Sequence, residues 1–407
     1  MTNPTKTLTG IVILGALSGC AMFESTADST PVTSKPAATT AAAPAKTKPV
    51  IRTAAKWNPD GGFRKRANAL DDSIVSWTSK HGLVTSDGTA YATDVVPVML
   101  YAARTGNTAL YEAAYKGAQR LIMMEKSDPY TQGFVLTRRV ANNGPETADA
   151  TQTLGMARAL WEGADALGRP ADRELALKVL EGYGKFAYEM NDQWLVRKQF
   201  DFATRSFAGS SMLSNYDADF FETVNRKASR AGVNGFAKNS YALLTRSVSP
   251  SGLLYPLVQP EIGATYPGLP IEVYAPNGIV ALEESCHGAV TAARGQPEVA
   301  RGVLEFVRTR AGKPDDLYAY FGAEDGARSA DERLSDSGYA CLATLALALG
   351  DAEEMSALED GMIAAMKRAT RDYGDKPGQV GAAATVLLAA QAAGAVQPRT
   401  ATAAASP

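Results

Sequence analysis

Histidine is nearly absent from this chain, with only His81 and His287. That excludes a multi-histidine metal site and leaves carboxylates as the groups available for chemistry. Acids recur where loops lead into apolar, Ala-rich runs: Asp87, Asp94, Glu146, Asp149, Asp217, Asp219, Glu272 and Asp336. Several stand beside an aromatic, as Asp87 does with Tyr91, Asp217 with Tyr216, Glu272 with Tyr274 and Asp336 with Tyr339. An acid at a helix start also caps free N–H groups and complements the helix dipole, and Asp217 and Asp336 read as plain caps. Asp87, in Thr85-Ser86-Asp87-Gly88-Thr89-Ala90-Tyr91, has two readings: Asp-Gly is ordinary turn chemistry, and a carboxyl at a loop-to-helix junction can also be presented to a cleft. Acids with aromatics on one face fit glycoside hydrolysis. One carboxyl stays protonated to donate to the leaving oxygen, and another is ionised to activate water or attack the anomeric carbon. On this reading Asp87, Asp149 and Glu272 are the candidate catalytic residues, and Tyr91, Tyr216, Tyr274 and Trp194 the candidate sugar platforms. For Trp194, packing of its own hairpin is the competing role.

Those residues need elements to position them, and the periodicity supplies helices. Phe63, Ala67, Leu70, Ile74 and Trp77 recur at steps of four and three, one apolar stripe. Pairs follow: 94–105 with 109–126, 148–167 with 171–190, 277–294 with 298–310, and 337–349 with 352–368. In each pair the first helix is Ala-rich and nearly uncharged, and the second is amphipathic. Gly106, Gly168, Gly295 and Gly350 stop helices as left-handed C-caps would, and Pro170 and Pro297 suit a first helical turn. Further helices are expected over 63–80, 217–230, 234–247 and 378–393. About twelve helices in six pairs predict an all-α fold, an (α/α)6 toroid, with long insertions at 124–147, 191–216 and 248–276 forming the walls of a cleft. An open solenoid would hold a tighter period. The stretch 193–202 has strand character and predicts a hairpin over the mouth of the ring.

The 407-residue chain is 45% hydrophobic with net charge −2 and has no basic block, which argues against nucleic acid as a partner. Lys6, the apolar run 8–17 and Leu17-Ser18-Gly19-Cys20 form an export signal too short to span a membrane. Its ending resembles a bacterial lipobox, which implies cleavage of a signal peptide over 1–19 and lipidation of Cys20; a cleaved signal with an incidental cysteine is the alternative. Ala21 in place of Asp favours the outer membrane in lipoproteins of enteric type, on the periplasmic side. Residues 20–56, rich in Ala, Thr, Pro, Ser and Lys, predict a disordered tether; 57–396 form the folded domain, and 397–407 a short tail. Cys286 and Cys341 fall on inner helices of neighbouring pairs, where they are either a disulfide or two buried small residues. No cofactor signal is present.

The order of elements from Trp57 to Ala393 resembles glycoside hydrolase family 8, the (α/α)6 bacterial cellulases. Members carry a Thr-Ser-Glu-Gly-Gln-x-Tyr turn whose Glu is the general acid. Thr85 to Tyr91 matches it in five of seven positions if Asp stands for Glu. Ala148-Asp149-Ala150-Thr151 is similar to a second Asp-containing turn, Leu213-Ser214-Asn215-Tyr216 to an Asn-Pro-Ser-Tyr, and Val273-Tyr274-Ala275-Pro276-Asn277 to the Tyr-Asp-Ala-Ile-Arg of the base region. The resemblance implies a toroid that cleaves a β-linked (exo)polysaccharide with Asp87 as acid. The departures are the shorter Asp87, whose proton sits about 1.5 Å further back than a Glu would place it, and Ala275 where the base is expected. Three functions follow: a lipid-anchored periplasmic hydrolase, a non-catalytic glycan-binding or scaffolding lipoprotein, and a protein-binding helical-repeat lipoprotein in envelope assembly; the first two imply polysaccharide synthesis or export proteins as partners.

Overall fold

Asp60 opens the first helix, its carboxylate accepting the N–H of Phe63 at 2.6 Å. Behind this cap, Phe63, Ala67, Leu70, Ile74 and Thr78 make the single buried stripe of α1 (Gly61–His81). A computed structural model describes residues 57–190, 193–228, 235–260, 271–371, 373 and 376–396. The segments read from sequence as signal, tether and tail, 1–56 and 397–407, lie outside the described residues. None of the described helices is long and apolar enough to cross a membrane.

After α1 the described helices are α2 (Ala92–Thr105), α3 (Thr108–Leu121), α4 (Ala150–Ala166), α5 (Pro170–Gly184), α6 (Ala218–Lys227) and α7 (Phe236–Arg246). Then come α8 (Leu282–Ala292), α9 (Pro297–Arg310), α10 (Asp336–Leu349), α11 (Ala352–Ala357), α12 (Glu359–Ala369) and α13 (Gln379–Ala392). They alternate around an (α/α)6 toroid. The inner ring is α2, α4, α6, α8, α10 and α13. It closes on itself: α2 packs on α4 and α13, α10 on α13 and α8, and α8 on α6. A 3-10 turn, Leu213–Asn215, bridges α4 and α8 ahead of α6. The outer layer is α1, α3, α5, α7, α9 and the pair α11–α12, one outer helix interrupted at Leu358 where the sequence pattern ran unbroken. Inner helices bury residues around their circumference, as Gly338–Ala343, Leu345 and Ala346 do on α10. Outer helices bury one stripe, as Leu110, Tyr111, Ala114, Ala118 and Leu121 do on α3.

Most inner-to-outer links are very short. Gly106 ends α2 at φ 68° and Asn107 caps α3; Gly350 ends α10 at φ 67° and Asp351 caps α11. Pro170 and Pro297 sit in first turns. Gly295 departs from this pattern. It is not left-handed, and a Cβ there would overlap the Tyr241 ring, so space rather than φ demands glycine. The outer-to-inner links are long, and the alternation places them all at the N-terminal ends of the inner helices. They carry short antiparallel pairings: 90–91 with 138–139, 147–149 with 199–201, and 257–260 with 271–274. The expected hairpin over 193–202 divides between two sheets. Gln193–Val196 pairs with Ala187–Met190, which periodicity had assigned to α5, and Gln199–Asp201 pairs with Thr147–Asp149 and Ser206–Ala208. Tertiary pairing has overridden local helix propensity there.

Cys286 of α8 and Cys341 of α10 are disulfide-bonded, with Cα atoms 6.1 Å apart. The seam between the first and last inner helices is closed by Asp94 of α2. Its buried carboxylate accepts the N–H of Gly378 and of Gly381, each at 2.9 Å. The backbones approach so closely that a Cβ on Gly381 would overlap the Thr93 carbonyl oxygen. Gly381→Ala should therefore lower stability by at least about 2 kcal/mol in urea unfolding. Gly144→Ala, where a Cβ meets nothing within 4 Å, should stay within about 0.5 kcal/mol; equal effects would mean that the seam is not tightly packed.

Candidate active site

The long links gather side chains at one end of the ring. Before α2, Thr85 to Thr89 folds as a tight turn. The N–H of Gly88 reaches the Thr85 carbonyl at 2.8 Å, Gly88 has φ 79°, and the N–H of Thr89 reaches Asp87 Oδ1 at 3.1 Å. The Thr85 hydroxyl also donates to Asp87 Oδ1. Asp87 is exposed, and these bonds, Thr85's first, hold its carboxyl below the usual range. The turn thus presents an ionised acceptor rather than a proton donor. Tyr91 ends the turn, half-buried, its backbone paired with Arg138, whose guanidinium clasps Glu146 at 2.8 Å.

The Thr147–Asp149 strand carries the rim on to α4. Asp149 caps that helix, accepting the N–H of Gln152 at 2.9 Å, and its neighbour Ala150 donates to the Lys198 carbonyl at 2.8 Å. Burial pushes the Asp149 carboxyl up, against the pull of the Gln152 N–H and the Lys198 charge. The first turn of α8 brings Glu283 and Glu284. Burial and then the neighbouring Glu283 charge raise Glu284, while His287 and Lys198 act in the opposite sense. Glu283 goes the other way. Burial opposes its ionisation, yet His287, Ser335 and Ser337 hold it at about 2. Ser335, the cap of α10, donates to it at 2.6 Å, and His287 Nε2 lies 3.8 Å away. Lys198 thus acts on both Asp149 and Glu284, which burial raises, while Glu283 alone is lowered.

The sequence reading missed Glu283, Glu284, Lys198 and His287. It began this inner helix at Asn277, but Asn277 is left-handed (φ 55°) and α8 starts at Leu282. An acidic pair that reads as mid-helix is in fact in the first turn. Of the predicted platforms, Tyr216 is fully buried, its hydroxyl accepting the N–H of Val196 at 3.0 Å, so it braces the strand and offers no ring to a sugar. Trp194 packs on Phe236 with centroids 5.7 Å apart, the packing role. Tyr274 is half-buried, its hydroxyl 2.9 Å from Ser210 Oγ. Glu272 pairs through its backbone with Gln259, and its side chain lies outside the described residues. Asp217 caps α6, as read, but Ser335 rather than Asp336 caps α10, and Asp336 binds Arg368. Tyr339, beside Asp336, is also buried.

Within the ring a second polar set is fully paired. Glu162 takes Arg104 at 2.7 Å and Arg158 at 2.8 Å, Arg158 reaches Asp217 at 2.5 Å, and Arg294 reaches Asp219 at 2.5 Å. Arg158, Asp217, Asp219 and Arg294 line a cavity of about 300 Å³.

Solved structures share this architecture. An α-amylase from Clostridium perfringens superposes at TM-score 0.63 and 14% identity, over 82% of this chain and 99% of its own. A β-1,3-1,4-glucanase from Paenibacillus sp. X4 gives 0.61 and 12%, over 86% and 97%. An endoglucanase of glycosyl hydrolase family 8 from Klebsiella pneumoniae gives 0.56 and 11%, over 79% and 99%. The chain has the (α/α)6 toroid fold of these structures. No family model matches its sequence, and no curated protein does. The resemblance read from Trp57 to Ala393 therefore holds at the level of fold, in a divergent form.

Glu162 gives this arrangement a test. Burial opposes its charge, but Arg104 first and then Arg158 hold it at about 2, against an ordinary 4.5. A depressed carboxylate stabilises the fold above its unfolded value and loses that contribution as pH falls through its folded one. Glu162→Gln should cost about 3 kcal/mol in urea unfolding at about pH 7. Most of that cost should vanish as pH falls from 4.5 towards 2; a pH-independent difference would mean that packing, not charge, is lost.

Proposed function

We propose that the chain is a carboxylate-based glycoside hydrolase acting on a β-linked polysaccharide, held by a lipid on Cys20 at the periplasmic face of a bacterial membrane, the outer one by its Ala21. The observation that carries the catalytic reading is a pair of enclosed carboxyls, Asp149 and Glu284, that both interact with Lys198, with Glu283 held ionised beside Glu284, at the loop-rich end of a toroid whose solved neighbours are named as glucanases and an amylase. Glu284 is the acid, because burial first and then the ionised Glu283 beside it favour its protonated form. Asp149 is the partner carboxyl; burial raises it too, and the Gln152 N–H and Lys198 work against that rise. Glu283, tied to Ser335 and His287, positions the first turn of α8 and touches no substrate. Asp87 shapes the rim.

Two observations favour the second reading, a glycan-binding protein without turnover: Ala275 is buried where the resemblance expects a base, and Asp87 is held ionised. Reducing-end release from carboxymethyl cellulose, mixed-linkage β-glucan, xylan and starch separates the two. On the hydrolase reading a β-glucan is cut, Glu284→Gln and Asp149→Asn each lose about a hundredfold or more, and Asp87→Asn keeps most activity. Loss in Asp87→Asn alone would return the acid to Asp87. Oligosaccharide binding by calorimetry with no release from any polymer would establish the binding protein. A partner trapped by crosslinking, with no sugar affinity, would point to an accessory of polysaccharide synthesis or export.

The anchor has its own test. Cys20→Ser should move the protein from the membrane pellet to the soluble periplasmic extract. Unchanged sedimentation would rule out lipid attachment at Cys20.

A further inference from the structure

Between the end of α3 and the loop after Arg138 lies a groove of about 550 Å³ that the proposed chemistry does not use. Its polar lining is rich in donors: Gln119, Arg120, Arg139 and Asn142. Arg139 Nη1 is enclosed and has no hydrogen-bond partner, and Glu125, the one acid in the lining, stands 3.8 Å from the same guanidinium. Nη1 itself is not reached from the groove; the open part of the guanidinium, on a side chain 27% exposed and only 3.8 Å from Glu125, is what an entering anion would meet. Arg120 ties the groove to the rim by donating to the Gly88 carbonyl at 2.7 Å, and Arg139 pairs through its backbone with Ala90 at the start of α2. Met124, 39% exposed, gives the groove an apolar wall. A sugar has both an apolar face and polar groups, and here the polar group that fits carries negative charge.

We propose that this groove binds an acidic sugar residue, a uronate carboxylate or its equivalent, so that the polymer crossing the rim is an anionic polysaccharide. The inference rests on the glycan reading above. Two arginines against one carboxylate give the groove a net positive charge, although the whole chain carries −2.

The test is calorimetry of the full-length chain with tetragalacturonate and with cellotetraose. The acidic oligosaccharide should bind more tightly, and its affinity should fall as salt is raised. Arg139→Gln should weaken it about tenfold or more. Asn142→Asp should weaken it too. Asn142 is exposed at φ 66°, a conformation Asp also tolerates, so this variant adds a repelling charge without disturbing the fold. Equal or tighter binding of cellotetraose, or unchanged affinity in both variants, would overturn the proposal. So would binding to phosphatidylglycerol vesicles without binding to tetragalacturonate, which would assign the groove to the membrane. If tetragalacturonate binds as expected but no polymer is cut, the hydrolase reading alone fails. If neutral β-glucan is cut and tetragalacturonate is not preferred, the groove proposal alone fails.

Discussion

Closure of the inner ring is the constraint on which the other features depend. A helical array left open must cover the apolar flanks of its end helices, whereas a closed one covers every flank with a neighbour. Here closure is a contact between the second helix and the last. The Asp94 carboxylate satisfies two of the N–H groups that a helix start leaves unpaired. Burial raises its proton affinity and the two Gly N–H bonds oppose that, so the carboxylate is secured by backbone donors rather than by a cation. With the ring closed, α10 and α13 can be Ala-rich and apolar on nearly every side. The charges that remain inside must then pair with one another, as Glu162 does with Arg104 and Arg158.

The same closure sorts the loops. Helices that alternate between inner and outer layers turn back tightly at one end of the ring, and insertions accumulate at the other, where they have room. Strands of two to four residues lace those insertions into a rim, from Tyr91 through Arg138 and Thr147 to Gln199. Proton affinities at the rim follow from which element each acid joins. Asp87 stays within its own exposed turn, so its neighbours stabilise its charge. Glu284 is enclosed beside an ionised neighbour, so its charge is penalised. Lying at a junction into an inner helix does not by itself decide which of these two acids is raised. Enclosure does.

This explains what could be read in the sequence. The helix pairs, the caps at Gly106 and Gly350 and the first-turn prolines are local and periodic, so the toroid was legible without coordinates. The resemblance pointed to loops entering inner helices, because such a junction is also a local signal. The short strands were not legible, since Thr147–Asp149 pairs with residues some fifty positions on. Nor was the fate of the aromatics: an acid beside a tyrosine looks alike whether the ring faces a cleft or, like Tyr216, braces a buried strand. Glu283 and Glu284 were hidden by an error of five residues in one helix start, between Asn277 and Leu282. Helix boundaries are where periodicity is weakest.

The Cys286–Cys341 bond has a consequence for assembly. It spans 55 residues and encloses α9 together with the loop that delivers Ser335 to Glu283. A cross-link over such a span removes about 4 kcal/mol of chain entropy from the unfolded state. Oxidation can join α8 to α10 as soon as that one segment has folded, long before α13 arrives to meet Asp94. The bond thus fastens α8 to α10 across the sector that holds Glu283 and Glu284. Forming it takes two electrons from the two thiols, so it requires an oxidant.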